Sequence, residues 1–333
     1  MLMKRFFAFA AFTLLLMGCK NTAPLLPTIS GKAGEVLVVI EKNDWDGQLG
    51  EDVRGVLADE YPFLPVQEAR YSVANVSHGG FIEMFQVHRN IVYFDINPQA
   101  VSTGVKFMKD KWATPQCLIL VSAHTVEMAD SLFLDKADMI VETIEQAERE
   151  RVITTCRKYE NRAVYQKVSE VFGGSVHVPS GYKLRKISQD FAWISDDKQY
   201  TTQGIFVYRY PVGKDDFTME NLVKNRNRML KDNVPGMFEG TYMITGTYWT
   251  PQTRFLKYKG RDFAETHGMW EVEGDFMGGP FVSHAFYSPD GKYIVVADAW
   301  VYAPKYDKRQ YLRQTESLLY SWEWVKEKEN QPN

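Results

Sequence analysis

Residues 135–172 read DKADMIVETIEQAERERVITTCRKYENRAVYQKVSEVF, and this stretch decides how the chain is organised. It contains neither proline nor glycine, and apolar or small side chains recur along it at near-helical spacing. At a rise of 1.5 Å per residue, it would extend ~55 Å. We therefore predict one or two long helices that leave a first domain and deliver the chain to a second. The charges at 145–151 and 157–162 alternate in sign, which is typical of a solvated helix face.

The chain before this stretch has the pattern of a sheet with one helix. A continuous apolar run at 35–40 predicts a buried strand, and helical spacing at 48–61 predicts a helix. Four more strands are predicted, at 71–77, 90–95, 105–111 and 117–122. We expect the last two to form a hairpin. One helix against four or five strands indicates an α+β layer and not an alternating βαβ run.

The chain after Gly173-Gly174 has the pattern of a second sheet with helices. Helices are predicted at 218–231 and 307–325, and strands occupy most of the interval 182–302. The sequence SPDGK at 288–292 places Pro and Gly where a hairpin turn requires them. The predicted fold class is therefore α+β, with two sheet-plus-helix domains, mostly antiparallel strands and a long helix between them.

Residues 1–19 have the pattern of a secretion signal that ends at a cysteine. Lys4 and Arg5 precede an apolar run at 6–17, which is too short to span a bilayer as a mature helix. The sequence LMGC at 16–19 resembles the lipobox of bacterial lipoproteins, although Met17 departs from that pattern. The resemblance implies cleavage before Cys19 and acylation of its thiol. The alternatives are a plain cleaved signal and an uncleaved anchor.

The residues after Cys19 indicate a cellular location and an extended tether. Lys20 and Asn21 are not acidic, unlike the residues expected in a surface-export signal, so we expect an outer-membrane protein that faces the periplasm. Pro24 and Pro27 lie in a stretch without apolar periodicity, which predicts a short extended tether. The predicted segments are a signal peptide at 1–18, a lipidated tether at 19–32, an N-terminal α+β domain at 33–172, a C-terminal antiparallel α+β domain at 173–328 and a disordered tail at 329–333.

Charge and cysteine content exclude some classes of protein. Without residues 1–18 the chain has a net charge of −5, which gives no electrostatic reason to expect nucleic acid as a partner. Cys117 and Cys156 are the remaining cysteines, and in an oxidising compartment they are either a disulfide or two buried thiols. No Cys and His spacing indicates a zinc site, and aromatic residues at 14% suit packed sheets or a surface that binds carbohydrate or peptide.

Two groups of polar residues are candidate sites. Period-two alternation along 263–275 places Glu265 and His267 on one face of a strand, where they would act as an acid/base pair or hold a metal. The alternative is a strand whose polar side lies in water. Asp298 lies inside an otherwise apolar strand, so it needs a basic or hydroxyl partner or faces a pocket.

Other motifs carry no cofactor or catalytic signature. The glycine-containing loop at 274–280 is not a Walker loop, and the serine-hydrolase and zincin motifs are absent from the sequence. A basic cluster, Lys224, Arg226, Arg228 and Lys231, lies near the end of a predicted helix, where positive charge complements the helix dipole. Contact with anionic lipid or glycan is the alternative. We predict no cofactor and no metal site.

Three segments carry a resemblance across the mature chain: LPTISGKAGE at 26–35, RNI at 89–91 and PKYDKR at 304–309. With the lipobox, they resemble a family of bacterial lipoproteins of unknown function, and the second half resembles PsbP-type domains in topology alone. A family without an activity implies no catalytic residues.

The sequence therefore predicts a lipid-anchored cell-envelope protein that is not an enzyme. It would contact the membrane through the lipid on Cys19 and bind a protein, a peptide or a glycan. The alternative is an envelope hydrolase or metal-dependent enzyme that uses Glu265, His267 and Asp298.

Overall fold

The structure is a computed structural model that describes residues 25–325. The predicted signal peptide at 1–18, Cys19 and the predicted tail at 329–333 lie outside the described residues. Within residues 25–325, no helix is both long enough and apolar enough to cross a membrane.

The first sheet has five strands in the spatial order β2-β1-β3-β5-β4. Their bounds are β1 Glu35–Val39, β2 Ser72–Val76, β3 Asn90–Ile96, β4 Gly104–Lys109 and β5 Cys117–Ala123. The hairpin prediction is confirmed, because β4 and β5 pair antiparallel. The other three pairs are parallel, so the exclusion of βαβ connections in this half was wrong. β1 lies between two parallel neighbours with four of its five residues buried, and a continuous apolar run is typical of such a strand.

Helices cover one face of this sheet. The short helices and turns before β3 are α1 Lys42–Trp45, α2 Gln48–Leu57, a 3-10 helix His78–Gly80 and α3 Glu83–Gln86. α2 buries Leu49, Val53 and Leu57 against the sheet. Two helices after β5, α4 Val126–Asp135 and α5 Ala137–Lys158, add to the same core. This gives a sheet with a helical layer, as the α+β prediction requires.

The helix α5 joins the two domains. Its 22 residues correspond to a length of about 33 Å. Ile140 and Ile144 pack into the core of the first domain, whereas Ile153 and Cys156 pack into the core of the second. The prediction of a long connecting helix is therefore confirmed.

The middle of α5 is polar but not solvated, so the prediction of a solvated face at 145–151 was wrong there. Glu148 is buried and accepts hydrogen bonds from Arg89 Nε (2.9 Å), Arg89 Nη2 (2.6 Å) and Asn90 Nδ2 (2.7 Å). Arg151 is also buried, lies 3.2 Å from the Glu148 carboxylate and donates to Asn90 Oδ1. Alternating charge does not distinguish a solvated face from a set of mutually neutralising buried pairs.

A hydrogen-bonded ion pair links α5 to the last helix, α8 Arg309–Leu319. Arg313 Nη2 donates to Glu145 Oε1 at 2.7 Å, and Tyr71 Oη donates to the same oxygen at 2.8 Å. Desolvation opposes ionisation of Glu145, yet the Arg313 guanidinium and these hydrogen bonds bring its pKa below the ordinary value. The first sheet, α5 and the last helix are thus held by one charged cluster.

The second domain contains an eight-stranded, entirely antiparallel sheet in the order β10-β12-β13-β14-β9-β8-β7, with β11 also paired to β12. Its strands are β7 Lys183–Ile187, β8 Phe191–Asp197, β9 Thr202–Pro211, β10 Met243–Thr245, β11 Gln252–Tyr258, β12 Arg261–Val272, β13 Gly278–Tyr287 and β14 Tyr293–Tyr302. Helix α6 Arg162–Phe172 precedes the sheet, and helix α7 Met219–Asn233 lies between β9 and β10.

Each face of this sheet has its own core. One core combines the α8 face with α6, and the other combines α7 with the aromatic residues Phe206, Trp270 and Trp300. α6 buries Val164, Val168 and Phe172 in the first of these cores. Its contacts therefore belong to the second domain, whereas the predicted boundary at 172/173 assigns it to the first.

The end of the chain differs from the predicted helix at 307–325. α8 ends at Leu319, and Glu323–Trp324 (β15) pairs antiparallel with Gly174–Ser175 (β6). The two remaining cysteines are separate buried thiols, because Cys117 lies in the first-domain core and Cys156 lies in the second. Burial raises the pKa of Cys117 to about 11 and that of Cys156 to about 12.

We expect Glu148→Gln to lower the free energy of unfolding by about 3 kcal/mol, because the buried guanidinium of Arg151 and the partly buried one of Arg89 would lose their carboxylate. Urea unfolding followed by circular dichroism measures the change. The matched control is Glu142→Gln, which removes an exposed carboxylate from the same helix and should change the free energy by less than about 0.5 kcal/mol. Equal losses in the two variants would contradict a structural role for Glu148.

Candidate functional site

Glu265 and His267 lie on the face of β12 that packs against α8, as the alternation predicts. Both are buried, and Glu265 has no exposed surface. The alternative expectation of a polar side in water was therefore wrong for Glu265. The last helix and Tyr320, which follows it, cover the carboxylate, and sequence periodicity does not show what covers a strand face.

Four side chains donate to the Glu265 carboxylate. One oxygen accepts from His267 Nε2 (2.9 Å) and Arg254 Nε (2.8 Å). The other oxygen accepts from His284 Nε2 (2.9 Å) and Tyr320 Oη (2.7 Å). A carboxylate has about four lone-pair positions, so Glu265 has none left for a substrate proton.

The environment fixes the charge of this cluster. Burial raises the pKa of Glu265, but the hydrogen bonds from His267 and His284 outweigh it and bring the pKa well below its ordinary value. Burial lowers the pKa of His284 to about 4, and its hydrogen bond to Glu265 only partly opposes that effect. At neutral pH the cluster is therefore an ionised Glu265 beside a neutral His284. A general base needs a pKa near the working pH and a free lone pair, and Glu265 has neither.

A groove of about 520 Å³ lies beside this cluster, between α5 of the first domain and the strands of the second. Arg149 stacks on the Tyr320 ring, with its guanidinium carbon 3.6 Å from the ring centroid. Burial and the nearby Glu265 charge raise the pKa of Glu316, which also lines the groove. No serine, threonine or cysteine is among the described residues that line it, so it has no side-chain nucleophile of those types.

His267 is the histidine of the cluster that lines the groove, although its Nδ1 atom is buried. Its Nδ1 atom has no hydrogen-bond partner within the described residues, and the ring of Phe63 lies 5.2 Å away. Phe63 has a φ of 59°, a left-handed conformation that is uncommon for a bulky residue. Among residues 25–325, no group of three or more His, Cys, Asp or Glu side chains is arranged to hold a metal ion.

Asp298 does not join this cluster, so the predicted set of three residues is divided. It pairs in register with Phe206 and Ser283 and faces α7, on the opposite side of the sheet from Glu265. Arg226 Nε donates to Asp298 Oδ2 at 2.7 Å, and both side chains are buried. Burial raises the pKa of Asp298, and Arg226 opposes that effect. The sequence prediction of a basic or hydroxyl partner is thus confirmed.

Arg226 is therefore not part of a solvated basic cluster. Its guanidinium also lies 3.6 Å from the Phe281 ring centroid and donates to Thr245 Oγ1. Arg228, two residues along the same helix, is exposed. The basic residues on α7 therefore include an interior anchor, and the helix-dipole interpretation does not account for it.

A second candidate site is a cleft of about 380 Å³ that no motif in the sequence predicts. The loop between β10 and β11 and the loop between β12 and β13 form its walls, with Pro65 of the first domain at its edge. The aromatic residues that line it are Tyr248, Trp249, Trp270 and Phe276. Tyr248 is 87% exposed and Phe276 is fully exposed, although both are large apolar side chains.

Two carboxylates, Glu271 and Asp275, also line the aromatic cleft, and no lysine or arginine is among its described lining residues. Neither carboxylate forms an ion pair within residues 25–325. The only signal in the sequence is a Tyr-Trp pair followed by Thr-Pro at 248–251 and an aromatic residue in the loop at 274–280. That signal predicts turns, and only the tertiary structure brings the two loops together.

The family comparisons identify two regions of the chain. Residues 161–321 match the family described as "Domain of unknown function (DUF4837)", and residues 29–157 match "Domain of unknown function (DUF8532)". The two matches divide the chain between α5 and α6. No curated protein matches the sequence.

Solved structures show only weak similarity to the fold. The Ran-binding protein Mog1p of Saccharomyces cerevisiae is 10% identical with a TM-score of 0.31, over 46% of this chain and 90% of that chain. A protein from Bacteroides thetaiotaomicron is 15% identical with a TM-score of 0.25, over 46% of each chain. The lipid transfer and protein localization domain of human StarD13 is 10% identical with a TM-score of 0.22, over 47% of this chain and 95% of that chain.

The buried His284 predicts a specific pH dependence. Its pKa is lower in the folded state, so between about pH 6.5 and pH 4 the unfolded chain binds more protons there, and stability falls as pH falls. The variant His284→Gln keeps an N–H donor but does not titrate. Between pH 7.5 and pH 5, we expect its free energy of unfolding to fall by about 2 kcal/mol less than that of the wild type. Denaturant unfolding at both pH values measures this difference. Parallel pH profiles would show that His284 is not held neutral.

The pair of Arg226 and Asp298 predicts a large loss of stability on truncation. We expect Arg226→Ala to lower the free energy of unfolding by about 3 to 5 kcal/mol, because Asp298 would remain buried without its partner. Chemical denaturation compares it with Arg228→Ala, the exposed arginine on the same helix, for which we expect a change below about 0.5 kcal/mol. Similar losses for the two arginines would exclude the buried pair as a major contribution.

Proposed function

We propose that the protein is a lipid-anchored component of the cell envelope that binds a partner and does not catalyse a reaction. In this proposal, Cys19 carries the lipid, the chain faces the periplasm from the outer membrane, and the two domains form a binding or assembly module. Both matched families are of unknown function, so the proposal depends on the molecule's own surfaces and sequence. The PsbP-like topology of the second half stays a prediction.

The aromatic cleft is the observation that carries the proposal. Exposed aromatic side chains gain no burial from folding, and contiguous exposed apolar surface is typical of interaction sites. Tyr248 and Phe276 extend from loops that their own strands hold in place, and the Tyr248 and Trp249 rings lie 6.2 Å apart. Aromatic residues are enriched at the centres of protein interfaces because they bury a large area with few rotatable bonds.

The ties between the domains support a role as a rigid module. Arg313 and Glu145 link α8 to α5, and Pro65 of the first domain borders the cleft of the second. A binding surface whose walls are fixed before contact loses less conformational entropy when a partner binds.

The alternative function is an envelope hydrolase with its site in the groove beside Glu265. The observation that favours it is the Nδ1 atom of His267, which is buried beside the groove and has no hydrogen-bond partner in the described residues. A hydrolase of this kind would also need a nucleophile or a metal-bound water beside that nitrogen. The saturated carboxylate of Glu265 makes it a structural counter-ion in our interpretation, and we favour the binding role.

The test uses full-length protein in native envelope membranes with a photoreactive phenylalanine analogue at position 248. We expect adducts at 248 but not at 255, because Phe255 is 70% exposed on the same sheet but lies outside the cleft. We also expect the Cys19→Ala form, which lacks the acylated thiol, to lose those adducts. Intact mass of the purified protein checks the lipid itself.

Two outcomes would overturn the proposal. Equal labelling at positions 248 and 255 would show that the cleft has no preferred partner. An unlipidated mature N-terminus would remove the anchor, independently of the binding role.

A further inference from the structure

We infer that the aromatic cleft binds the cationic side chain of an arginine or lysine in an extended segment of a partner protein. This inference rests on the proposed binding function and adds the chemistry of the partner. The cleft lies between the β10–β11 loop and the β12–β13 loop, and it shares no described lining residue with the groove beside Glu265.

The walls of the cleft suit an organic cation. Tyr248, Trp249 and Phe276 present aromatic rings, and a guanidinium or ammonium group over such a ring gains about 0.5 to 2 kcal/mol. The protein uses this contact in its own interior, where the guanidinium of Arg226 lies over Phe281 and that of Arg149 lies over Tyr320. At the cleft, the rings have no cation from the described part of the chain.

The charged residues of the cleft also favour a cationic ligand. Glu271 and Asp275 line it, Glu273 lies exposed between them in sequence, and none of the three forms an ion pair among residues 25–325. Glu271 approaches the opposite wall closely, since a β-carbon added at Gly246 would lie 3.4 Å from Glu271 Oε2. Carboxylates beside aromatic rings attract a cation through both the ring quadrupole and direct Coulomb interaction.

The same features disfavour other ligands. An anionic lipid surface or a phosphate group would meet carboxylates without an ion pair, and no lysine or arginine is among the described lining residues. A neutral sugar would stack on the rings but would desolvate the carboxylates without pairing them. A volume of about 380 Å³ accommodates one or two side chains, which suits an extended segment that inserts them.

The test measures binding of the full mature chain to the acetylated peptide Gly-Arg-Gly-Arg-Gly-Arg-Gly, with a fluorescent dye at its C-terminus, by fluorescence anisotropy. Its counterpart carries citrulline, which is neutral and has nearly the same shape as arginine. We expect the arginine peptide to bind at least about 10-fold more tightly at low salt. Tyr248→Ala and Glu271→Gln should each weaken that binding about 5-fold.

Matched controls separate the cleft from the overall negative charge. Phe255→Ala removes an exposed aromatic side chain outside the cleft, and Glu51→Gln removes an exposed carboxylate from α2 of the first domain. We expect both to stay within about twofold of wild type. A loss in Glu51→Gln equal to that in Glu271→Gln would show delocalised attraction and overturn the inference.

Two further outcomes would also overturn it. Equal affinity for the arginine and citrulline peptides would show that the positive charge does not contribute to binding. Displacement of the peptide by an equal concentration of spermidine would assign the cleft to a free polyamine and not to a protein segment. If either occurs while position 248 still labels a partner in membranes, the binding function stands and only the cationic chemistry fails.

Discussion

The buried carboxylate of Glu148, in the middle of α5, is the constraint on which the arrangement of the two domains depends. Its donors come from Arg89 and Asn90, at the start of a first-domain strand, while the same helix continues into the core of the second domain. A charged side chain at this depth is stable only when the groups that neutralise it stay in place. The position of α5 on the first sheet therefore fixes where the second domain begins.

Two more carboxylates, the buried Asp298 and the partly buried Glu145, are neutralised by an arginine in the same way. Asp298 pairs with Arg226 across the face of the second sheet, and Glu145 pairs with Arg313 between the domains. Each pair connects elements that are distant in sequence, so removing one partner would leave the other charge without its counter-ion. The cost of removing these groups from water is offset by geometry, since each carboxylate accepts two or more hydrogen bonds.

Glu265 is another buried carboxylate that its hydrogen-bond donors neutralise, and the residue types around it are those common in catalytic sites. A glutamate, two histidines, a tyrosine and an arginine meet there, yet every donor is directed at the same carboxylate. Convergence of polar side chains is therefore not enough to indicate catalysis, because a reacting group also needs an unused lone pair. The aromatic cleft is the converse case, with exposed rings and with carboxylates that form no ion pair in the described part of the chain.

The sequence by itself determined the α+β class, the long helix between the domains, the β4–β5 hairpin and the need of Asp298 for a partner, because each follows from local periodicity or from the cost of one buried charge. Only the tertiary structure decided the parallel pairing of β1, the burial of Glu148 and the separation of Asp298 from Glu265. The aromatic cleft also belongs to this second group, since Tyr248 and Phe276 lie 28 positions apart on two different loops. The physical reason is that an alternating pattern specifies which residues share a face but not what covers that face, and both burial and the pairing of charges depend on the cover.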